Sequence, residues 1–151
     1  MKIVVGADHA GFAAKETVRS SLAAAGHDVT DVGTKSEAPV DFPDIAVALC
    51  REILDGNAQR GIMVCGTGIG ACMAANKVRG IRAALAHDRY SAHQCVEHDD
   101  ANVLCVGAQI IGPAVMREII DSFLMAEWSP AEEFHRRVAK LADLEKGRLP
   151  A

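Results

Sequence analysis

Residues 61–65, Gly-Ile-Met-Val-Cys, are an almost unbroken apolar run that ends on a thiol and opens at once into Gly66-Thr67-Gly68-Ile69-Gly70. A strand that is apolar at every position has no polar face to offer water. It is buried on both sides, as in a parallel sheet covered by helices. Parallel strands need long crossovers between them, so helices must alternate with strands along the rest of the chain.

The remaining pattern supplies those crossovers. Lys2–Gly6 is a short β-rich run closed by glycine. Gly11–Ala25 has helical spacing, with Phe12, Val18 and Leu22 able to share one face and Gly26 as the stop. Val29–Val32 is a second strand, Thr34–Pro43 a loop with two prolines, and Asp44–Leu54 a helix capped by Asp44. After the third strand, Gly61–Cys65, a helix spans Ile69–Lys77. Ile81–Ala86 is strand four, Tyr90–Glu97 a helix, and Val103–Val106 strand five. Pro113–Met125 is a helix with proline in its first turn. Ser129 and Pro130 have the chemistry of an N-cap and first helical residue for a last helix, about 129–146. The 151 residues suit one domain, 1–151, with a five-stranded parallel sheet between helix layers. Only 4% of residues are aromatic while 50% are hydrophobic, so Ala, Val, Ile and Leu must build the core.

Composition narrows the partners. The net charge is −4 with no basic patch, which argues against nucleic acid. No apolar run approaches the roughly 20 residues needed to span a bilayer, and the N-terminus lacks a signal-peptide pattern. The five cysteines are odd in number and lack CxxC spacing, which fits a reduced, cytoplasmic protein. Cys50, Cys72, Cys95 and Cys105 are assigned to packing.

In open parallel sheets ligands bind beyond the carboxyl ends of the strands. Four places qualify: Ala7–Gly11, Gly66–Gly70, His87–Asp88 and Gly107–Gln109. The glycine loop brings bare N–H groups and a helix start to one point, where an anion would bind. A glycine-rich turn that binds nothing is the plain alternative. Gly66–Ala71 also fits G-x-G-x-x-A, with Asp88 as a ribose-binding acid. Against a dinucleotide, the motif follows the third strand, little chain is left for a substrate domain, and the site does not call for a thiol. Cys65 at the lip of an amide-lined loop expects a lowered pKa and can act as a carbon base beside an oxyanion hole. A buried structural cysteine is its plain alternative. Asp8-His9 is either part of the site or a loop cap. His98-Asp99-Asp100 follows a helix that carries His93, but no spacing matches a metal motif. His27, His87 and His135 are expected on the surface.

Together, GADHAGF (6–12), DVGT (31–34), DFP (41–43), CGTGIG (65–70), AANKVRGIRAAL (74–85), YSA (90–92), EH (97–98) and ANVLCVG (101–107) resemble the type B ribose-5-phosphate isomerases, a family shared with galactose- and allose-6-phosphate isomerases. The resemblance implies a three-layer α/β/α Rossmann-like fold and a homodimer, or dimer of dimers, with shared active sites. It implies an aldose–ketose isomerase working through a cis-enediolate on a sugar phosphate, by default ribose 5-phosphate, with no metal or organic cofactor. By matched position Cys65 resembles the base, supported by Thr67. The amides of Gly66, Gly68, Ile69 and Gly70 resemble the enediolate hole, and His98 the ring-opening acid from the partner. Asp8 resembles a ring-hydroxyl ligand and His9 a group near the phosphate end. Three places depart from the pattern. Asp99 replaces the usual Asn, and Gln109 the usual Arg. The C-terminal R-H-x-x-R clamp puts Glu132 or Glu133 at its first Arg and Arg136 or Arg137 at its second. All three concern substrate choice, so an isomerase of another sugar or sugar phosphate, of tetrose, allose or galactose type, is the alternative, and a non-catalytic phosphate- or nucleotide-binding module is the alternative from another class.

Overall fold

The computed structural model describes residues 1–148. A five-stranded parallel sheet lies at its centre, formed by β1 (Lys2–Ala7), β2 (Asp28–Asp31), β3 (Arg60–Cys65), β4 (Ala83–Leu85) and β5 (Val103–Gly107). The strand order is β2-β1-β3-β5-β4. Alternate strand residues point to opposite faces, and each face meets its own helices. Ile3, Val5, Ile62, Val64, Leu104 and Val106 pack against α1 (Phe12–Ala24), α4 (Arg89–Asp99) and α5 (Pro113–Met125). Val4, Met63, Cys65, Val103 and Cys105 pack against α2 (Phe42–Leu54) and α3 (Ile69–Ala75). The three-layer arrangement expected from the unbroken apolar third strand is the one that forms. A last helix, α6 (Glu132–Glu145), lies against α4 and buries none of its own residues. Among the described residues, no helix is long and apolar enough to cross a membrane.

Local boundaries differ where side chains compete with the periodic pattern. Helix α2 starts at Phe42, with Asp41 rather than Asp44 at the N-cap and Pro43 in the first turn, where its fixed φ suits a helix start. Helix α3 stops at Ala75 instead of Lys77, because the Asn76 side chain bonds both Ala83 N and Ala83 O, at 2.9 and 2.8 Å. Ile81 is drawn into a turn by its bond to Val78 O, which shortens β4. His98 and Asp99 form the last turn of α4 rather than a loop after it. Helix α6 begins at Glu132 with Ala131 as N-cap; Ser129 stands before it, its N–H given to Glu97 O and its Oγ accepting from Ala131 N at 3.3 Å rather than from the helix's first turn. On α1, Lys15 joins Val18 and Leu22 on the buried face, while Phe12 is only half-buried. The Lys15 ammonium is held by Asp31 at 2.6 Å and Thr34 O at 2.9 Å, so it pins the loop after β2 to α1.

This topology sets where a ligand fits. From β1 the chain leaves along one face toward β2; from β3 it leaves along the other face toward β4. The connections diverge above the β1–β3 pair, and such reversal points open a crevice at the carboxyl ends.

Candidate active site

Strands β1 and β3 are in register with Ala7 opposite Val64, so the next residues, Asp8 and Cys65, emerge side by side into that crevice. The Cys65 thiol donates to Asp8 Oδ2 at 2.8 Å. Gly11 N donates to Asp8 Oδ1 at 3.0 Å. Both side chains are sequestered, Cys65 at 8% and Asp8 at 4% exposure. The N–H groups of Gly68 and Gly66 also face the sulfur.

The glycines are dictated by this closeness. Gly68 has φ 79°, and a Cβ there would lie 2.6 Å from Leu85 Cδ1 and 3.1 Å from the Val106 carbonyl carbon. A Cβ on Gly11 would lie 2.3 Å from Val64 O. The Thr67 hydroxyl accepts weakly from Ile69 N at 3.4 Å, and both residues are exposed. Gln109 N donates to Gly66 O at 2.9 Å, and the Gln109 side chain lies across Gly66. His9 is half-buried, and its Nδ1 accepts from Val40 N at 3.3 Å. Asp8, His9, Cys65, Thr67, Gly66, Gly68, Ile69, Gly70 and Gln109 therefore all stand at one end of the sheet.

Other groups join them whose contacts the residue pattern did not show. The Phe42 ring covers Gly70, where a Cβ would come within 2.9 Å of Phe42 Cζ. Phe42 lies in the DFP motif, but nothing in the motif says that its ring reaches the glycine loop. His87, expected on the surface, is half-buried, and its Nε2 accepts from Gly107 N at 2.9 Å. Asp88 caps α4 by accepting from Ser91 N at 2.8 Å, so the carboxylate of the dinucleotide alternative is occupied as a helix cap.

The electrostatics correct one expectation. The Cys65 pKa is raised rather than lowered, first by burial and then by the hydrogen bond to Asp8. The Gly68 and Gly66 amides act in the opposite sense and are outweighed. A sulfur removed from water and facing a carboxylate keeps its proton. Burial also pushes Cys50 and Cys95 up to about 11. Cys72 behaves differently. The neighbouring Cys105 thiol, and then Asn76, bring it down to about 7.

His98, Asp99, Arg136 and Arg137 gather at the opposite end. Helix α4 runs back down the sheet, so its last turn lies beside the starts of β4 and β5, where Arg82 pairs with Asp100. The His98 ring stacks on Phe134 of α6, with centroids 4.1 Å apart, and the Arg137 guanidinium lies 5.6 Å from the Phe134 centroid. Asp99 and Arg136 are exposed, as are Glu132 and Glu133 on the first turn of α6. Strand β5 has five residues at about 3.3 Å each, so the two groups stand roughly 15 Å apart. One chain thus carries two clusters that do not meet.

Residues 3–141 match the sequence model of the family described as Ribose/Galactose Isomerase. The chain belongs to that family. It is a member of a sugar-phosphate isomerase family and an aldose–ketose isomerase by class, as the motifs implied. It is 45% identical over 130 residues to a D-erythrulose-4-phosphate isomerase from Pectobacterium atrosepticum, covering 85% of each chain. It is 35% identical over 147 residues to ribose-5-phosphate isomerase B of Escherichia coli, covering 97% of this chain and 98% of that one. The solved structure of Clostridium thermocellum ribose-5-phosphate isomerase B superposes with a TM-score of 0.95 at 38% identity, over 99% of this chain and 100% of that one.

Proposed function

We propose that the protein interconverts a phosphorylated aldose and its ketose through an enediolate, in a site completed by a second copy of the chain. The observation that carries this is the buried Cys65–Asp8 pair at 2.8 Å beside the glycine loop. Cys65 moves a proton between the first two carbons, with Thr67 beside it. The amides of Gly66, Gly68, Ile69 and Gly70 hold the developing oxyanion. Asp8 and His9 hold sugar hydroxyls and the phosphate end, and Gln109 closes that side. A proton shift between neighbouring carbons requires no redox cofactor.

The second copy supplies what one chain cannot. The partner subunit's His98 protonates the ring oxygen of a cyclic substrate, and the partner's Arg137, with Asp99 and Arg136 nearby, faces the phosphate. Two features support a homodimer. Ile69, Met73, Leu85 and Ile110 leave an exposed apolar rim around the glycine loop, at 53%, 63%, 38% and 54% exposure. Helix α6 carries Phe134, Val138, Leu141 and Leu144 on one side yet buries no residue. The five free thiols fit a cytoplasmic setting.

Ribose 5-phosphate is the default substrate. A four-carbon sugar phosphate is the second reading, favoured by the 45% identity to the erythrulose-phosphate enzyme against 35% to the E. coli ribose-phosphate enzyme. Gln109 in place of a cation does not choose between them, since a bidentate Arg–phosphate pair is stronger than a neutral bond for either phosphate. Glu132 and Glu133 carry less weight, because both face water where a helix start favours negative charge. Measuring kcat/KM for ribose 5-phosphate and D-erythrulose 4-phosphate decides between them. A high value for the pentose returns the default. A poor pentose value beside a high value for the four-carbon substrate supports the four-carbon reading. No turnover of any phosphorylated aldose or ketose refutes the isomerase.

A further inference from the structure

We propose that Asp8 is a catalytic residue that accepts the Cys65 thiol proton, so that carboxylate and thiol work as a pair. This rests on the isomerase reading and goes beyond it, because the family resemblance gives Asp8 only a sugar hydroxyl to hold. The problem it solves is physical. A thiol raised by burial and by a facing carboxylate contains little thiolate at neutral pH, yet carbon deprotonation needs a base. The acceptor for the thiol proton must already be in the crevice.

Asp8 Oδ2 is placed for that task. It receives the Cys65 S–H at 2.8 Å while Oδ1 takes the Gly11 amide, so the carboxylate is oriented by one oxygen and open to the thiol at the other. The buried Lys15 ammonium is held elsewhere, by Asp31 and Thr34. The Gly68 and Gly66 amides face the sulfur and stabilise the anion once it forms.

The steps balance within the site. As substrate binds, the S–H proton passes to Asp8 Oδ2 and its electron pair stays on sulfur. That pair takes the proton from C2 of the aldose. The C–H electrons become the C1–C2 double bond, and the carbonyl π pair moves onto O1. The neutral Asp8 carboxyl gives its proton to O1 and collects the one leaving O2. The Cys65 thiol then delivers its proton to C1, the C2–O2 carbonyl forms, and Asp8 returns a proton to the sulfur. Each proton is accounted for with no outside acid or oxidant.

Asp8→Asn is the decisive variant. An amide keeps the shape and can still accept from the thiol or bind a hydroxyl, but it cannot take the proton. Two readouts should move in opposite directions. Iodoacetamide should alkylate Cys65 faster than in the unmodified protein at the same pH, because the carboxylate that raised the thiol is gone. Peptide-resolved mass spectrometry separates Cys65 from the other four thiols. Turnover should nevertheless fall by about 10²-fold or more in kcat, with KM little changed. Asp8→Glu, which keeps a proton acceptor, should retain clearly more kcat than Asp8→Asn. Thermal melting checks folding; if Asp8→Asn does not fold, Asp8→Ser carries the same expectations.

Unchanged kcat, a loss confined to KM, or equal losses for Asp8→Asn and Asp8→Glu would overturn the proposal. So would unchanged alkylation in Asp8→Asn. The alkylation contrast needs no substrate. An unmodified protein inert toward every phosphosugar would therefore end the isomerase reading separately, and with it the catalytic step proposed for Asp8.

Discussion

The two ends of the sheet hold their functional groups in different ways. At the carboxyl end, Asp8 and Cys65 emerge from the two central strands, with 4% and 8% exposure, and the surroundings are fixed by Gly11 and Gly68, where a Cβ would clash. At the amino end, the His98 side chain is 33% exposed and leans on Phe134, which belongs to a helix with no buried residue. The first cluster is built into the core, and any change there disturbs packing. The second rests on stacking between partly exposed side chains of α4 and α6 and can change at little cost. The departures from the family pattern follow this division. Asp99 and Glu132/Glu133 lie at the amino end, and Gln109 on an exposed loop. The groups proposed for proton transfer match the family pattern, while several of those proposed to contact the substrate depart from it.

The largest expected effect falls on the core-built cluster. Cys65→Ala should lower turnover by at least about 10³-fold, within the usual range for losing a general base, in a protein that still folds and melts only about a few degrees lower. A variant with substantial turnover would make Cys65 structural and erase the contrast between the two ends. Next in size, Gly11→Ala drives a Cβ into Val64 O and shifts the amide that orients Asp8. Chemical denaturation should show a loss of about 1–3 kcal/mol, the usual size of an overpacking penalty. A neutral result would mean that the crevice is softer than its contacts imply.

His98→Asn probes the exposed cluster. Turnover of ribose 5-phosphate, which cyclises, should drop by about 10²-fold. A four-carbon 4-phosphate, which has no free hydroxyl to close a furanose, should lose far less. Equal losses would assign His98 to binding or structure. The smallest effect concerns the core that both ends share. Cys50 and Cys95 are held protonated, with pKa values near 11 against 9 unfolded. Above pH 9 the unfolded chain releases these protons and the folded one does not, so stability falls as pH rises from about 9 to 11. Thermal melts across that window should show a decline of a few degrees that is smaller in Cys50→Ala. A flat profile would remove the buried thiols from the balance.

Much of the carboxyl-end cluster was legible because backbone chemistry writes it into the sequence. An all-apolar strand demands burial, and glycines at alternate positions demand close approach. The strand ends then put Asp8, Cys65 and the glycine loop on one edge. The Cys65–Asp8 hydrogen bond was not legible, because register between non-adjacent segments leaves no mark on either. It reversed the sign expected for the thiol: helix start and glycines foretold a lowered pKa, and burial with a facing carboxylate raised it. The same blindness hid Phe42 over Gly70 and the burial of Lys15, which Asp31 and Thr34 O enclose. At the other end, the Ser129-Pro130 pair carried a helix-start signal, yet the helix starts at Glu132, with Ser129 N–H tied to Glu97 O and its Oγ to Ala131 N. Helix ends set by such long-range bonds do not show in local periodicity.

The central claim is that one chain supplies two half-sites, roughly 15 Å apart, that meet only across a pair of copies. Subunit complementation tests it directly. Cys65→Ala and His98→Asn are each to be produced with a different tag and assayed on ribose 5-phosphate, or on whichever cyclic sugar phosphate the unmodified protein turns over. Co-expressed and purified through both tags in turn, the mixed dimer has one site with both defects and one with neither. The account predicts that the doubly tagged species regains about half of the unmodified activity per dimer, as an isologous two-fold pairing requires. Mixed dimers no more active than the two parents would contradict it and place the whole reaction within a single chain.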